Sequence, residues 1–372
     1  VTASSFLETP FESFPPASAA DRDSCNYWEA AGLLDRAALY YKNSCAWARS
    51  LRKHCTENAR LCRNLAGYDY LSAIDLHCNR SGYTSGIMNE FYELQAGESA
   101  GDVLKYNGES VILLDHRNQR NLTVGSSVSF GVMASLFGES ELRDGALSWH
   151  LADRNGHVIL RGESRLGTVP VGLVEQVGCV EFEVPDTGGP SRLTLSARLS
   201  GGEYELTNQW DFWVFAIATT AEANRSDEQD QVRIVSDLDE AHLEFLDGGG
   251  RVVLLGAGPF PTLPTTFQIG TPGRASGNLA TVIADHALLA GFPHDGYCDW
   301  QFARMLEGGS AVVFDDISLP FDPIVEVVSS YKMIHKQACL FEVGVGRGKL
   351  LVCTLLLDPA DPAGRCMLDS IT

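Results

Sequence analysis

The sequence predicts a multidomain chain of α/β plus β class. Three regimes succeed one another: a helical stretch with one apolar strand, a series of short alternating segments, and apolar strands interleaved with helical segments. The 372 residues are 45% hydrophobic and 20% charged, a globular composition long enough for two or three domains. That composition excludes disorder and collagen-like repeats. The expected units are residues 1–114, an immunoglobulin-like β-sandwich over 115–217, a linker over 218–231, and an α/β unit over 232–372.

In the first unit Leu34, Ala38, Tyr41, Cys45, Ala48, Cys55, Ala59 and Cys62 recur at intervals of three, four or seven. This spacing predicts a long amphipathic helix, with Gly67 as its stop signal. Tyr70 to Asp75 reads as a buried strand, followed by a glycine-bearing loop from Asn79 to Gly86 and a helix-like stretch from Ile87 to Leu94. The second unit alternates apolar and polar residues over Ser127–Val132, Ala146–Leu151 and Arg192–Ala197. Turn signals at Asp153–Gly156 and Asp186–Gly189 separate such segments, the pattern of a sandwich of about one hundred residues. Trp149 is the expected core filler. The Ala-, Asp-, Glu- and Asn-rich stretch from Thr219 to Gln231 reads as the linker. In the last unit the apolar strands Arg251–Leu255, Ala311–Phe314 and Lys349–Thr354 predict a Rossmann-like parallel sheet covered by helices. Gly256-Ala257-Gly258-Pro259 lacks a third glycine in register, so it reads as a turn rather than a dinucleotide fingerprint.

Lys and Arg number 28 against 48 Asp and Glu, a net charge of −20. A surface this acidic repels phosphate backbones and anionic lipid, which argues against nucleic acid and membrane as partners. No apolar run approaches the roughly 20 residues needed to span a bilayer. The expectation is a soluble, cytoplasmic protein. The ten cysteines show no structural-zinc spacing, and Cys45, Cys55 and Cys62 in the helical pattern and Cys339 and Cys353 in apolar strands read as small buried hydrophobes. The Asn-x-Ser/Thr matches at Asn79, Asn121 and Asn224 fix no compartment. A start at Val1, and an end inside the helix-like stretch Met367–Thr372, suggest a fragment or a processed chain.

The segments from Ala66 to Asp75 and from Gly82 to Glu93 resemble the last barrel strand, its active-site loop and the closing helix of family 2 glycoside hydrolases. Tyr106 to Leu114 is similar to the exit from that barrel, and Asp144 to Asp153 to the sandwich that follows it. The resemblance covers about the first 217 residues. The last unit looks more like the amidotransferase-type α/β domain appended to some large bacterial glycosidases. A (β/α)₈ barrel needs about 250 residues, so the resemblance implies the end of a barrel, with Val1–Leu7 as its seventh strand. Leu7-Glu8-Thr9-Pro10 is then similar to the segment carrying the nucleophilic Glu, although Leu7 and Pro10 depart from the family's usual His and Gly.

Retaining glycosidases need a nucleophile and a general acid/base about 5–5.5 Å apart. The resemblance implies Glu8 as nucleophile and an acid/base on a strand preceding Val1. Asp75 and His77, after the implied eighth strand, would line the sugar pocket; the alternative is loop polar groups bonding nearby backbone. Gly291 to Phe302 mixes aromatic and polar side chains, and Asp295, Trp300 and Gln301 are candidate sugar contacts. The alternative is a turn whose Trp300 and Phe302 anchor the next helix. Neither Cys298 nor Cys353 follows an apolar strand into a sharp elbow, so amidotransfer is not expected. No cofactor and no metal are required by this chemistry. The sequence therefore predicts the C-terminal portion of a retaining β-glycosidase, inactive alone and pairing with the missing N-terminal half or a second copy. The alternative is a non-catalytic carbohydrate-binding protein.

Overall fold

The computed structural model describes residues 28–62, 64–70, 73–75, 86–89, 91–216, 232–265, 280–329 and 334–372. The protein is mixed α/β and mostly β-sheet, with no closed barrel among the described residues. The expected strand Val1–Leu7 and the linker over 218–231 lie outside them. No helix among the described residues is long and apolar enough to cross a membrane.

Helix α1, Ala37–Leu61, follows a 3-10 turn at Leu34–Arg36 and fulfils the long periodic pattern. Its 25 residues contain neither Gly nor Pro. It ends before the expected stop: Cys62 is extended, and its N–H reaches back to the carbonyls of Asn58 and Ala59. Gly67 lies beyond the end, because the chain has already closed the helix through backbone bonds. Cys45 is buried as expected, whereas Cys55 and Cys62 are exposed. The helix is wider in its contacts than its apolar stripe suggests, so those two thiols fall on an uncovered side.

Beyond α1, the described part of the expected strand Tyr70–Asp75 forms one parallel bridge, Ile74 to Met88. The described residues of the stretch from Ile87 to Leu94 are not helical. The Asn89 side-chain oxygen accepts from the N–H groups of Phe91 and Glu93, both at 3.0 Å, and Tyr92 has φ +65°. An Asn-centred turn has taken the backbone donors a helix would have used. Helix α2, Ala100–Asn107, starts later, capped by Ser99.

A two-sheet β-sandwich follows. Its strands are β1 (Val111–Asp115), β2 (Asn121–Thr123), β3 (Ser127–Leu136), β4 (Ala146–Ala152), β5 (Val158–Arg165), β6 (Leu173–Glu183), β7 (Ser191–Gly201) and β8 (Tyr204–Phe215). One sheet has the order β1-β3-β6 and the other β2-β8-β7-β4-β5. Val111–Leu114 pairs with β3, so the sandwich begins there. The core is Leu147, Leu151, Leu193, Leu195, Trp210 and Phe212 with facing residues of the smaller sheet. Trp149 points the same way as Leu147 and Leu151 but is only half-buried. It lies over Gly162 of the edge strand β5, which has no side chain to cover it, and tilts against Phe182 at a centroid distance of 6.2 Å. Trp210, buried at the centre, takes the place expected of Trp149.

The last unit is built on one sheet. Its elements are β9 (Val232–Val235), α3 (Glu240–Asp247), β10 (Arg251–Leu255), β11 (Thr262–Pro264), β12 (Ala280–Ile283), α4 (Ala303–Leu306), β13 (Ser310–Val313), β14 (Pro323–Val328), β15 (Gln337–Val345), β16 (Gly348–Cys353) and α5 (Pro362–Ile371). The sheet is mixed rather than parallel. Only β9, β10 and β16 run parallel, in the order β9-β10-β16, while β15 is antiparallel to β13, β14 and β16. The physical reason is the tight turn at Gly346, φ +58°, which returns the chain directly beside β15. A connection this short permits only antiparallel pairing. Trp213 and Phe215 at the end of β8 enter the core of this unit, so the sandwich and the last unit share apolar packing.

Candidate functional site

Helix α1 is the wall on which the candidate sites are built, and it meets three surroundings. Toward the last unit, Asn43 Nδ2 donates to the carbonyls of Thr281 and Gly296 at 2.9 and 3.0 Å, and Tyr40 donates to the buried Glu326. Toward the sandwich, Glu57 accepts from Lys53, from Asn208 Nδ2 at 2.8 Å and from Trp210 Nε1 at 3.1 Å. Toward the 73–98 segment, Arg52 pairs with Glu98 and donates to the Tyr70 hydroxyl at 2.8 Å. Residues 40, 43, 47, 50, 53 and 57 step along the helix at intervals of three or four, one stripe that drifts around the axis from the last unit toward the sandwich.

Asp75 is buried. Its Oδ1 accepts from the Gly86 N–H at 2.8 Å and its Oδ2 from Gln95 Nε2, whose own Oε1 accepts from Tyr41. The carboxylate therefore ties the end of its segment to the following loop and to α1. Glu8 and His77 lie outside the described residues.

Asp295 and Gln301 come together in a cleft of about 770 Å³ between the sandwich and the last unit. Asp295 is exposed and accepts from Arg154 and Arg192, one from a sandwich turn and one from β7. Gln301 is buried; its Nε2 donates to the Pro293 carbonyl at 2.8 Å, while Oε1 has no partner among the described residues. Asp153, Asp285, His294 and Tyr297 are among the other polar residues that line it.

Trp300 lies across a shared wall. Tyr297, Asp299 and Trp213 line both this cleft and a second cavity of about 310 Å³, where α1, the sandwich and the last unit meet. The Trp300 indole N–H donates to Ser50 Oγ at 2.7 Å, and its ring tilts against Trp47 and His54 at centroid distances of 4.9 and 4.3 Å. Asp299 caps the turn at Trp300–Phe302 and accepts from Ser50 and Tyr297 at 3.2 and 3.3 Å. Desolvation, opposed by its bond from the Trp300 N–H, pushes its carboxyl up to about 6. Desolvation, reinforced by the Arg120 charge, holds His54 down at about 4 and His116 at about 2. Both rings are therefore neutral near pH 7.

The sequence marks Trp300 and its neighbour Asp299 through an aromatic and polar cluster. It does not mark Arg120, His54 or His116, the cationic and imidazole groups of the same junction. Arg120 falls in the polar run Arg117 to Arg120, and its burial follows only from the docking of three units. Among the described residues no group of three or more His, Cys, Asp or Glu side chains is placed to hold a metal.

Residues 126–216 match a domain of unknown function, DUF8488, and residues 233–372 match a second, DUF8487. No curated protein matches the chain. Among solved structures, the CARDB domain of the PF1109 protein from Pyrococcus furiosus, in complex with di-metal ions, is 10% identical with a TM-score of 0.22. That match covers 29% of this chain and 94% of the domain. The alkylpurine DNA glycosylase AlkC of Pseudomonas fluorescens, bound to DNA containing an abasic site analog, is 13% identical with a TM-score of 0.22, over 29% of this chain and 31% of its own. The C-terminal domain of wzt is 13% identical with a TM-score of 0.21, over 27% and 65%.

Proposed function

We propose that the chain is the C-terminal portion of a retaining glycoside hydrolase resembling family 2, acting on terminal sugars of β-glycosides. The observation that supports this reading is an order of elements. A 25-residue helix, a short extended segment ending at Asp75, a second helix and then a β-sandwich follow one another, as at the end of such a barrel. In this reading Glu8 is the nucleophile, and the acid/base comes from residues outside this sequence. Asp75, tied to Gly86 and Gln95, holds the loop carrying His77 beside the sugar. The carbohydrate is the ligand; the rest of the barrel or a second copy is the protein partner. The chemistry calls for no organic cofactor.

The test uses the complete product of the gene on 4-nitrophenyl β-glycosides. Glu8→Gln is expected to lower kcat by about a thousand-fold or more, and a 2-fluoro glycoside is expected to trap a covalent adduct on Glu8. Turnover that survives Glu8→Gln refutes the reading. A second reading, a non-catalytic carbohydrate-binding protein, draws on the polar cleft around Asp295 and Gln301. It predicts sugar binding by this chain that is unaffected by Glu8→Gln and lost on closing that cleft.

A further inference from the structure

Strand β5 is the outer strand of the five-stranded sheet. It pairs with β4 on one side, and among the described residues no strand pairs with its other side. The opposite edge of that sheet is protected. There β2 is three residues long, and Asn121 Nδ2 donates to the Gln301 carbonyl at 3.1 Å and to the Asp361 carboxylate at 3.2 Å, so the last unit sits against it. By contrast β5 runs for eight residues with neither Pro nor Lys, the residues that commonly discourage edge pairing. Arg161, Glu163, Ser164 and Arg165 are exposed along it.

Which backbone groups face outward follows from the register. The Leu166 N–H donates to the Gly145 carbonyl at 2.7 Å, one step beyond the Ala146–Arg165 pair of the β4–β5 ladder. Antiparallel ladders alternate, so Ser164, Gly162 and Leu160 turn their N–H and C=O groups toward β4, while Arg161 and Glu163 turn theirs away from the sheet. A bulge at Ile159, between the pairs Leu151–Leu160 and Ala152–Val158, ends the regular edge. A second copy laid antiparallel, Gly162 opposite Gly162, brings Arg161 of each copy opposite Glu163 of the other, and each such pair can exchange two backbone hydrogen bonds. Moving the centre by one residue sets Arg161 against Arg161 or Glu163 against Glu163, which repel. Centring on Ser164 pairs Glu163 with Arg165, but it overlaps only residues 163–165 of the strand. Gly162 places no side chain at the centre, and the half-buried Trp149 of each copy lies over its own Gly162.

We propose that β5 is a self-association edge. A second copy of this chain adds across a two-fold axis at Gly162, joining two five-stranded sheets into one, and reciprocal Arg161–Glu163 pairs fix the register. Each copy uses its edge once, so the assembly closes at a dimer. The interface lies within the sandwich and is independent of Glu8 and of the glycosidase reading.

The experiment is sedimentation velocity of the full chain at low salt. A monomer–dimer equilibrium with a Kd of about 10–100 µM is expected, as befits an interface at the small end of the specific range. Arg161→Glu and Glu163→Arg each place like charges opposite one another, and each is expected to weaken association by about tenfold or more. The double variant Arg161→Glu/Glu163→Arg restores opposite charges in the Gly162 register and is expected to return to within about threefold of the parent. In a Ser164-centred register the same double variant would set two arginines opposite each other. An equimolar mixture of the two single variants is complementary in the Gly162 register and is expected to associate as the parent does. A parent that stays monomeric up to about 200 µM overturns the proposal. So does association that survives both single reversals or grows beyond a dimer, or a double variant as weak as either single one.

Discussion

Glu57 joins α1 to the sandwich, and its removal offers the sharpest test of how that junction is held. Its carboxylate is 4% exposed at the side chain and takes bonds from Lys53, Asn208 and Trp210. Glu57→Ala leaves Lys53, which is 24% exposed and able to turn to water, and the Trp210 indole N–H, which has no other partner. Asn208 keeps its Nδ2 bond to the Ile112 carbonyl at 2.8 Å, and its Oδ1 still accepts from Lys53 Nζ at 2.9 Å and the Gln209 N–H at 2.8 Å. Breaking a fully buried pair costs about 3–5 kcal/mol. The partial access of Lys53 lowers that figure, while one buried orphan donor adds about 1–3 kcal/mol. The expected loss is about 2–4 kcal/mol, or roughly 5–10 °C in Tm. The assay is guanidinium unfolding followed by Trp fluorescence, with Trp210 expected to report a red shift before global unfolding. Glu203→Ala, at an exposed turn, is the control and is expected to lie within about 0.5 kcal/mol of the parent. A Glu57→Ala loss no larger than the control's would refute the idea that this carboxylate holds helix to sandwich.

Three further outcomes are expected. Asp299, raised from 3.8 to about 6 in the folded protein, binds its proton more tightly there than in the unfolded chain, so it lowers stability as pH rises from 4 to 6. The full shift corresponds to about 3 kcal/mol, and partial solvent access reduces it; Asp299→Asn, which keeps the capping oxygen, is expected to stabilise the protein above pH 6 and to flatten that slope in denaturant titrations. His116 works in the opposite sense. Held at about 2 when folded, it is protonated on unfolding below pH 6.5, so it costs about 1.4 kcal/mol per pH unit from 6.5 down to about 4, a slope that His116→Gln is expected to remove. A Cβ at Gly162 would meet the Trp149 ring at 2.6 Å, so Gly162→Ala is expected to cost about 1–3 kcal/mol and to shift Trp149 emission, and an unchanged midpoint would show that β5 yields freely.

The periodic signals were legible wherever local chemistry decided the outcome. Helix α1 follows from apolar spacing over residues without Gly or Pro, and the sandwich strands follow from strict alternation bounded by Asp- and Gly-rich turns. Where two local signals competed, the quieter one won: Asn89 outbid a helical-looking stretch by capturing two backbone N–H groups, and Gly346 folded β16 back on β15 although both strands are apolar enough for a parallel sheet. The site was legible only in part, for a different reason. Asp295, Trp300 and Gln301 stand together in sequence and stayed near one another in space, on either side of a shared wall. Arg120 comes from a sandwich loop while Glu57 and His54 come from α1, and no spacing rule connects residues that meet only through docking.

That dependence on docking sets how the junction can be taken apart. Arg120 belongs to the sandwich, Trp300 to the last unit and His54 to α1, so the cavity exists only while all three are seated. Glu57→Ala and Arg120→Lys then separate two contributions. The first loosens α1 from the sandwich and is expected to lower stability through the lost bonds to Asn208 and Trp210. The second removes the planar guanidinium from between Phe212 and Trp300 while α1 stays anchored through Glu57 and Asn43. An additive double variant would show that the two contacts hold the junction independently, and a double variant no worse than Glu57→Ala alone would show that Arg120 is seated only while α1 is.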